Sequence, residues 1–389
     1  MNGWLVAWFG LGVVVLLMAA GGVWILSLPS PAVGHALPIA QAETDAMIAA
    51  LQPPKSQRPL IAILATNDGS ETPDYLMPYG ILRRADVADV VALAMQPGPV
   101  TLFPALKVAA QATVADFDDL HPDGADYVIV PAMRRDDDPA VLQWIKSQAA
   151  KGAMIIAICA GAKVVANAGL LDGKRATTHW YNLKELRARH PTIEYVADRR
   201  LVVDRGVATT TGISASMPMS LTLIEAIAGR DKAQAVAQDV GVMHWDARHD
   251  SAAFRFTRPF ALTAMGNRLA FWNHERVGIE LTPGVDEVSL ALVADAWSRT
   301  YRSRAVTFAG TADVQQSRNG IGIFPDRIAT SWPAERLLPA IGVRQPAIAL
   351  ERALDGIATR YGMHTAEFVA MQLEYPRQRK DYGTADELR

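Results

Sequence analysis

The sequence lacks what a disulfide framework, a cysteine-rich metal site or a strongly charged surface would need. Cys159 is the single cysteine among 389 residues, which excludes an intramolecular disulfide and a zinc site built from several cysteines. The 38 Lys and Arg nearly balance the 40 Asp and Glu, so no excess of charge favours nucleic acid as a partner. At 50% hydrophobic residues, the chain can bury the core of two domains or one large one.

Charged residues are also absent from positions 1–41. Within that segment, residues 4–28 form a nearly unbroken apolar run of about 25 residues, and about 20 helical residues suffice to cross a bilayer. Trp4 and Trp8 lie near one end of the run and Trp24 near the other, where indole rings favour the headgroup boundary. The pattern predicts a single-pass anchor, with the lipid bilayer as a partner through residues 4–28 and the protein at a membrane.

We therefore assign 1–28 to a transmembrane anchor and 29–57 to a proline-rich linker around a short helix at 43–51. The side of the membrane that the rest faces, periplasmic or cytoplasmic, stays open because no Lys or Arg flanks the run. The alternative is a cleaved signal with its site at Gly34-His35-Ala36, although the apolar run exceeds the ~7–15-residue core of a signal peptide.

The globular part begins near residue 58, and up to residue 240 apolar runs alternate with stretches of helical period. This alternation is typical of a parallel sheet covered by helices on both faces. Stretches 139–151 and 216–228 have one apolar stripe each, and Asp138 or Pro139 begins the first helix. The predicted fold class is an α/β, doubly wound parallel sheet sandwich. Its predicted strands are 60–66, 100–103, 127–131, 154–158, 175–178 and 207–210.

The lone thiol lies at a predicted strand-to-helix turn. The strand at 154–158 runs directly into Cys159, and a helix follows the small residues Ala160, Gly161 and Ala162. Such a turn exposes one side chain and lets the helix pack close to the strand. A thiol beside a helix N-terminus is expected to have a lowered pKa. The sequence thus predicts that Cys159 is a nucleophile, and the alternative is a small buried cysteine that ends a strand.

A histidine follows in the next structural unit. The predicted strand 175–178 leads directly to His179, and a right-handed crossover would return that strand to the sheet edge near Cys159. A cysteine and a histidine together are the minimal activated nucleophile.

Two strings, Ala157-Ile-Cys-Ala-Gly-Ala162 and Ala168-Gly-Leu-Leu-Asp-Gly-Lys-Arg-Ala-Thr-Thr-His-Trp180, resemble the DJ-1/PfpI family of the class I glutamine-amidotransferase-like superfamily. The pattern is most similar to the subgroup that includes isonitrile hydratases and the sensor domains of AraC-type regulators. The resemblance covers residues 58–240. It implies a DJ-1/PfpI-like, flavodoxin-like fold, catalytic roles for Cys159 and His179, a small-molecule substrate or ligand, and dimerisation.

The family also places an acid just after the first strand. Glu71, three residues before Asp74, fits that spacing, so the resemblance implies that Glu71 hydrogen-bonds the cysteine, with Asp74 as the alternate. Without the resemblance, both carboxylates are solvated loop residues or helix caps. The resemblance further implies that Ala160, Ala132 and Asp74 contact the substrate. The segment Val130-Pro-Ala-Met133 departs from the usual Val-Pro-Gly-Gly, which counts against an oxyanion hole there.

Two clusters of charged residues have simpler interpretations. The run 134–138 is interpreted as the cap and dipole partners of the following helix rather than as a metal or substrate clamp. The segment 244–250 holds two histidines and two aspartates, but without a third distant ligand we interpret it as a loop. No metal and no cofactor is predicted.

The region 241–389 contains segments whose sequence pattern is similar to that of the first domain. Residues 276–290 read like a first strand and its acid turn, and 305–310 and 316–325 like the next two strands. We interpret these segments as a degenerate half-copy that packs on the first domain as a second subunit would, with coincidence as the alternative. A homodimer stays open, since such a copy could replace it.

The last predicted helices, 346–360 and 365–373, have the look of one helix-turn-helix unit. The would-be recognition helix has few basic residues, so a plain helical hairpin is favoured and DNA binding is not expected. The function that the sequence supports is a cysteine-dependent hydratase or hydrolase for a small electrophile, with Cys159, His179 and Glu71 as the catalytic residues. The alternatives are a ligand or redox sensor without catalysis, and a transcriptional regulator acting through these helices.

Overall fold

The computed structural model describes residues 3–31, 36–342 and 345–376. Gly34 and His35 of the alternative cleavage site, and the end of the C-terminal region at 377–389, lie outside the described residues. The helices are α1 Gly3–Ser27, α2 Gln41–Ala50, α3 Thr72–Ala85, α4 Val114–Leu120, α5 Pro139–Ala150, α6 Gly161–Asn167, α7 Leu183–Arg189, α8 Ser216–Ala228, α9 Arg230–Val240, α10 Arg258–Leu269, α11 Glu287–Ser298, α12 Pro346–Tyr361 and α13 Met363–Gln372. The strands are β1 Leu60–Ala65, β2 Asp68–Glu71, β3 Asp89–Ala94, β4 Pro99–Phe103, β5 Lys107–Ala109, β6 Ala112–Thr113, β7 Tyr127–Val130, β8 Met154–Ala157, β9 Arg175–Ala176, β10 Glu194–Tyr195, β11 Leu201–Asp204, β12 Val207–Thr210, β13 Glu275–Glu280, β14 Ser303–Ala309, β15 Gln315–Gln316, β16 Gly322–Phe324 and β17 Arg327–Ile328.

A seven-stranded sheet in the order β11-β12-β8-β7-β1-β3-β6 forms the centre of the first domain. Its strands pair in parallel except for β11, which is antiparallel to β12. Alternate residues of a strand point to opposite faces, and on β1 Ile61 and Ile63 pack with α3 and α8, while Ala62 and Leu64 pack with α5 and α6. The sheet is therefore covered on both faces, as predicted.

The structure corrects the strand predictions in three places. β3 was not predicted, yet it lies beside β1 inside the main sheet. The predicted strand at 100–103 is β4, which belongs to a separate five-stranded sheet. The predicted strand at 175–178 is the two-residue β9, which pairs with β10 instead of the main sheet. Local apolar runs indicate strands, but the partner of a strand depends on distant segments.

The predicted linker helix is packed on the first domain rather than held away from it. α2 packs against α8 and β11, and Arg199 donates to both carboxylate oxygens of Glu43 at 2.6 and 2.9 Å. Leu51 is buried, and its carbonyl oxygen accepts from the Tyr127 hydroxyl at 2.7 Å.

The predicted transmembrane anchor is contradicted. Among the residues that the structure describes, no helix combines the length and the apolar character needed to cross a membrane. This finding overturns the predicted anchor at 4–28, its bilayer partner and the predicted membrane localisation. The end of α1 makes protein contacts instead: Arg258 donates to the carbonyl oxygen of Leu26 at 2.6 Å, and the rings of Trp24 and Phe256 lie 6.0 Å apart. An apolar run in the sequence is therefore not by itself evidence for a membrane-spanning helix.

The C-terminal region repeats the order strand, helix, parallel strand in β13, α11 and β14. The same order occurs in β1, α3 and β3 of the first domain. α11 packs directly on α3, and β16 adds to the sheet of the first domain by pairing with β5. These contacts agree with the predicted half-copy, and that origin remains our interpretation.

The would-be recognition helix is not a free surface. α13 packs against α10 and α12, and it buries Thr365, Ala366, Phe368, Val369 and Ala370. A recognition helix must offer side chains to a DNA groove, so the helical hairpin, rather than a helix-turn-helix unit, describes α12 and α13.

Candidate functional site

The turn after β8 has the geometry of a nucleophile elbow. Cys159 has a φ of 57°, in the left-handed region that non-glycine residues rarely adopt. Its backbone N–H donates to the Thr210 hydroxyl at 3.1 Å, and its carbonyl oxygen accepts from the Thr178 hydroxyl at 3.0 Å. Strain of this kind persists where surrounding contacts hold it, and it is typical of functional residues.

Gly161 allows this turn because there is no room for a side chain. A Cβ at this position would lie 2.2 Å from the carbonyl oxygen of Val130. We expect Gly161→Ala to lower the free energy of unfolding by about 3 kcal/mol, the upper end for overpacking, in urea denaturation. Gly266→Ala on α10 is the matched control, because a Cβ there would meet nothing within 4 Å. Equal stability of the two variants would contradict the close packing at the elbow.

The thiol has a raised pKa, opposite to the expectation from the sequence. Cys159 is 5% exposed, and burial raises the pKa of the Cys159 thiol well above its ordinary value. The carboxylates of Asp74, Glu71 and Glu374 raise this pKa further, in that order. The backbone N–H of Ala160 acts in the opposite direction, but burial outweighs it. The thiol therefore needs a proton acceptor before it can attack.

His179 does not fill that role in this arrangement. Its Nδ1 accepts from the backbone N–H of Tyr181 at 3.1 Å, so the proton lies on Nε2, which is 2.9 Å from the carbonyl oxygen of Gln372. Burial lowers the pKa of His179, which keeps the ring neutral. Sequence reasoning placed His179 near Cys159, yet both ring nitrogens bond to backbone groups.

Asp74 is the carboxyl group with the strongest electrostatic effect on the thiol. It is fully buried, and its Oδ2 accepts from the backbone N–H of Ala132 at 3.1 Å. Its Oδ1 has no hydrogen-bond partner among the described residues. Burial raises the pKa of Asp74 to about 7, so this group can hold or release a proton near neutral pH.

Glu71 is engaged with an arginine from the C-terminal region. Arg299 donates to Glu71, and its Nε lies 2.9 and 2.8 Å from the two carboxylate oxygens of Asp295. The Asp295 side chain is fully buried, and those of Glu71 and Arg299 are 11% and 14% exposed. Burial raises the pKa of Glu71 well above its ordinary value, and Arg299 opposes this shift. The pairing holds Glu71 toward Arg299 at the edge of the thiol site.

The structure of the segment after β7 is consistent with the sequence argument against an oxyanion hole there. The N–H of Ala132 is bonded to Asp74, and its carbonyl oxygen accepts from the N–H of Glu71 at 2.9 Å. Met133 forms a bridge with Ser70. The Ala132 amide therefore positions Asp74, and Ala160 supplies the backbone N–H that acts on the thiol.

One residue of the run 134–138 has the capping role that the sequence indicated, whereas Asp136 pairs with Lys163 of α6 at 2.6 Å. Asp138 caps α5 by accepting from the N–H of Ala140 at 3.0 Å. In the second cluster, His249 is buried and its Nε2 lies 3.8 Å from Glu374. Sequence reasoning missed Glu374, Arg299 and Asp295. The sequence resemblance between the C-terminal region and the first domain was a signal for Arg299 and Asp295. No local sequence pattern marks Glu374.

Comparison with known proteins gives consistent matches. A sequence model described as "DJ-1/PfpI family" matches residues 60–226. Isonitrile hydratase from Pseudomonas putida is 34% identical over 168 residues, which are 42% of this chain and 70% of the hydratase. Parkinson disease protein 7 homolog from Danio rerio is 27% identical over 181 residues, 45% of this chain and 93% of the homolog. HTH-type transcriptional regulator CdhR from Pseudomonas aeruginosa is 33% identical over 100 residues, 26% of this chain and 30% of the regulator.

Proposed function

Because the chain belongs to the DJ-1/PfpI family, we propose that it is a hydratase or hydrolase that acts on a small electrophilic carbon. Cys159 is the nucleophile and Asp74 its proton-transfer partner. The observation that carries the proposal is the left-handed Cys159 under the electrostatic influence of a buried carboxyl group with one unpartnered oxygen. A relative is named isonitrile hydratase, so isonitriles are the first substrate class to test, followed by aldehydes and amides.

With an isonitrile, the chemistry balances without an external oxidant or reductant. Sulfur of Cys159 bonds to the terminal carbon while the thiol proton passes through the Asp74 carboxylate to the same carbon, which gives a thioimidate on the enzyme. Water then adds across the C=N bond, with its hydroxyl on carbon and one proton on nitrogen; the C–S bond breaks as the carbonyl forms, and the hydroxyl proton passes to the sulfur and restores the thiol. The product is an N-substituted formamide, and one water is consumed.

His179 and Glu71 enter this proposal as positioning residues. His179 joins the loop at Tyr181 to the carbonyl oxygen of Gln372, and Glu71 is held by Arg299. Both ring nitrogens of His179 are bonded to backbone groups and Glu71 is paired with Arg299, whereas Oδ1 of Asp74 has no hydrogen-bond partner among the described residues.

The test is formamide production from a simple alkyl isonitrile, followed by proton NMR. We expect the wild-type chain to turn the isonitrile over and Cys159→Ala to lose roughly 10³-fold or more of kcat/KM, because the nucleophile is gone. Cys159→Ser keeps a side chain of similar size and should be nearly as inactive. Circular dichroism establishes that both variants are folded. Wild-type turnover that survives in Cys159→Ala would contradict the proposal.

A second candidate is a non-catalytic sensor of a small ligand or of oxidation, and one observation favours it. The site is closed: the thiol is 5% exposed and protonated at neutral pH, and the ring nitrogens of His179 are occupied. A sensor would bind isonitriles, aldehydes or amides, or form a sulfenic acid at Cys159, without releasing product. The NMR assay separates these functions. DNA binding is not part of this candidate, because α13 is packed in the core.

A further inference from the structure

The end of α13 is docked on the loop that carries His179. The last carbonyl groups of a helix have no partner inside it, and here four consecutive carbonyl oxygens, from Met371 to Glu374, accept bonds from the site. The contacts are Trp180 Nε1 to Met371 at 2.9 Å, His179 Nε2 to Gln372 at 2.9 Å, Ser214 N to Leu373 at 3.0 Å and Ser214 Oγ to Glu374 at 2.7 Å.

The side chain of Glu374 enters a cradle between two loops of the first domain. One carboxylate oxygen accepts from the backbone N–H of Trp180 and the other from the backbone N–H of Gly212, both at 2.5 Å. His249 Nε2 lies 3.8 Å from the second oxygen. Glu374 is 2% exposed. The cradle thus binds a carboxylate with two backbone donors and an imidazole beside them.

The chain accommodates this carboxylate at a conformational cost. Glu374 has a φ of 49°, in the left-handed region, so its backbone is strained. A Cβ on Gly212 would lie 2.5 Å from the Cβ of Glu374. The close approach of Glu374 therefore requires glycine at position 212. A ligand that binds only the conformation in which Glu374 has left the cradle shifts the equilibrium toward that conformation.

A cavity of about 770 Å³ adjoins the cradle, and Glu374 and His249 lie on its wall. Three cationic side chains, those of Lys184, Arg187 and Arg255, also line this cavity. Five aromatic side chains also line the cavity: Trp180, Tyr181, Tyr195, Phe254 and Phe256. Cationic and apolar groups together suit an organic anion whose carboxylate reaches the cradle.

We propose that the cradle formed by Trp180, Gly212 and His249 is a binding site for the carboxylate of a small organic acid, and that Glu374 is its built-in occupant. The acid displaces Glu374, the segment 371–374 leaves the loop of His179, and the Cys159 site opens. The inference goes beyond the proposed reaction, because it concerns access to the thiol and holds whether or not the thiol is catalytic.

The test compares the full chain with Glu374→Ala, using butyrate as the probe and butyramide as its neutral control. We expect calorimetry to give at least a tenfold lower Kd for butyrate in Glu374→Ala than in the wild type, because the internal competitor is absent. Butyramide should bind neither protein measurably. Cys159 is the single cysteine, so its iodoacetamide alkylation rate reports access, and butyrate should raise that rate in the wild type.

Two further variants keep the result interpretable. Glu374→Gln retains the size of the side chain and replaces Glu374→Ala if circular dichroism shows that the alanine variant is unfolded. Glu335→Gln changes an exposed glutamate and should leave both measurements at the wild-type value. Equal butyrate affinity in the wild type and the Glu374 variant, or equal binding of butyramide, would overturn the inference, regardless of the outcome of the isonitrile assay.

Discussion

Replacing Asp74 by asparagine is expected to lower kcat/KM for isonitrile hydration by about 10²–10⁴-fold, the range for losing a general acid–base group. The amide cannot accept the thiol proton, and the Cys159 thiol, with its raised pKa, is protonated at neutral pH. The substitution keeps the side-chain size and an oxygen for the N–H of Ala132. The measurement is initial rates by NMR across a pH series.

The pH series gives the sign of the effect. Asp74 must be ionised to accept the thiol proton, and burial raises its pKa to about 7. The wild-type kcat/KM should therefore rise as pH increases through about 7. The pH profile of Asp74→Asn should lack this rise. Asp68→Asn, an exposed change on β2, is the matched control. An Asp74→Asn profile with the wild-type rise would assign the proton transfer to another group.

Replacing Arg299 by methionine is expected to lower the free energy of unfolding by about 3–5 kcal/mol, as for breaking a buried ion pair. The variant leaves Glu71 and Asp295 buried without their guanidinium. Urea denaturation measures the change. Arg304→Met, at an exposed position on β14, should stay within about 0.5 kcal/mol of the wild type.

A double variant isolates the cause of that loss. Arg299→Met with Glu71→Gln removes one of the two uncompensated carboxylates, so it should recover part of the stability lost in Arg299→Met. A loss below about 1 kcal/mol in Arg299→Met would mean that the pair is effectively solvent-screened, contrary to its burial.

The Arg299 pair has a counterpart at the other end of the same two helices. Glu71 is the N-cap residue of α3 and pairs with Arg299 at the end of α11, while Asp286 is the N-cap residue of α11 and pairs with Arg84 near the end of α3. In each ion pair, the acidic N-cap residue of one helix contacts an arginine near the C-terminal end of the other helix, so the two pairs are related by exchanging α3 and α11. We take this two-fold pattern as support for our interpretation of the C-terminal region as a degenerate half-copy that packs on α3 as a second subunit would.

The features that depend on neighbouring residues could be predicted from the sequence. The Asp138 cap of α5, the two-faced packing of β1 and the elbow at Cys159 follow from local spacing and from small side chains at the turn. Local rules suffice where the contacts that decide the structure are themselves local.

The chemistry around the thiol depends on contacts between segments that are far apart in the chain. Arg299 reaches Glu71 across 228 positions of the chain, and Glu374 reaches Trp180 across 194. The direction of the Cys159 pKa also comes from the whole fold, because burial and three carboxylates outweigh the local N–H of Ala160. Electrostatics depends on distance and burial in space, and neither quantity is encoded in residue spacing.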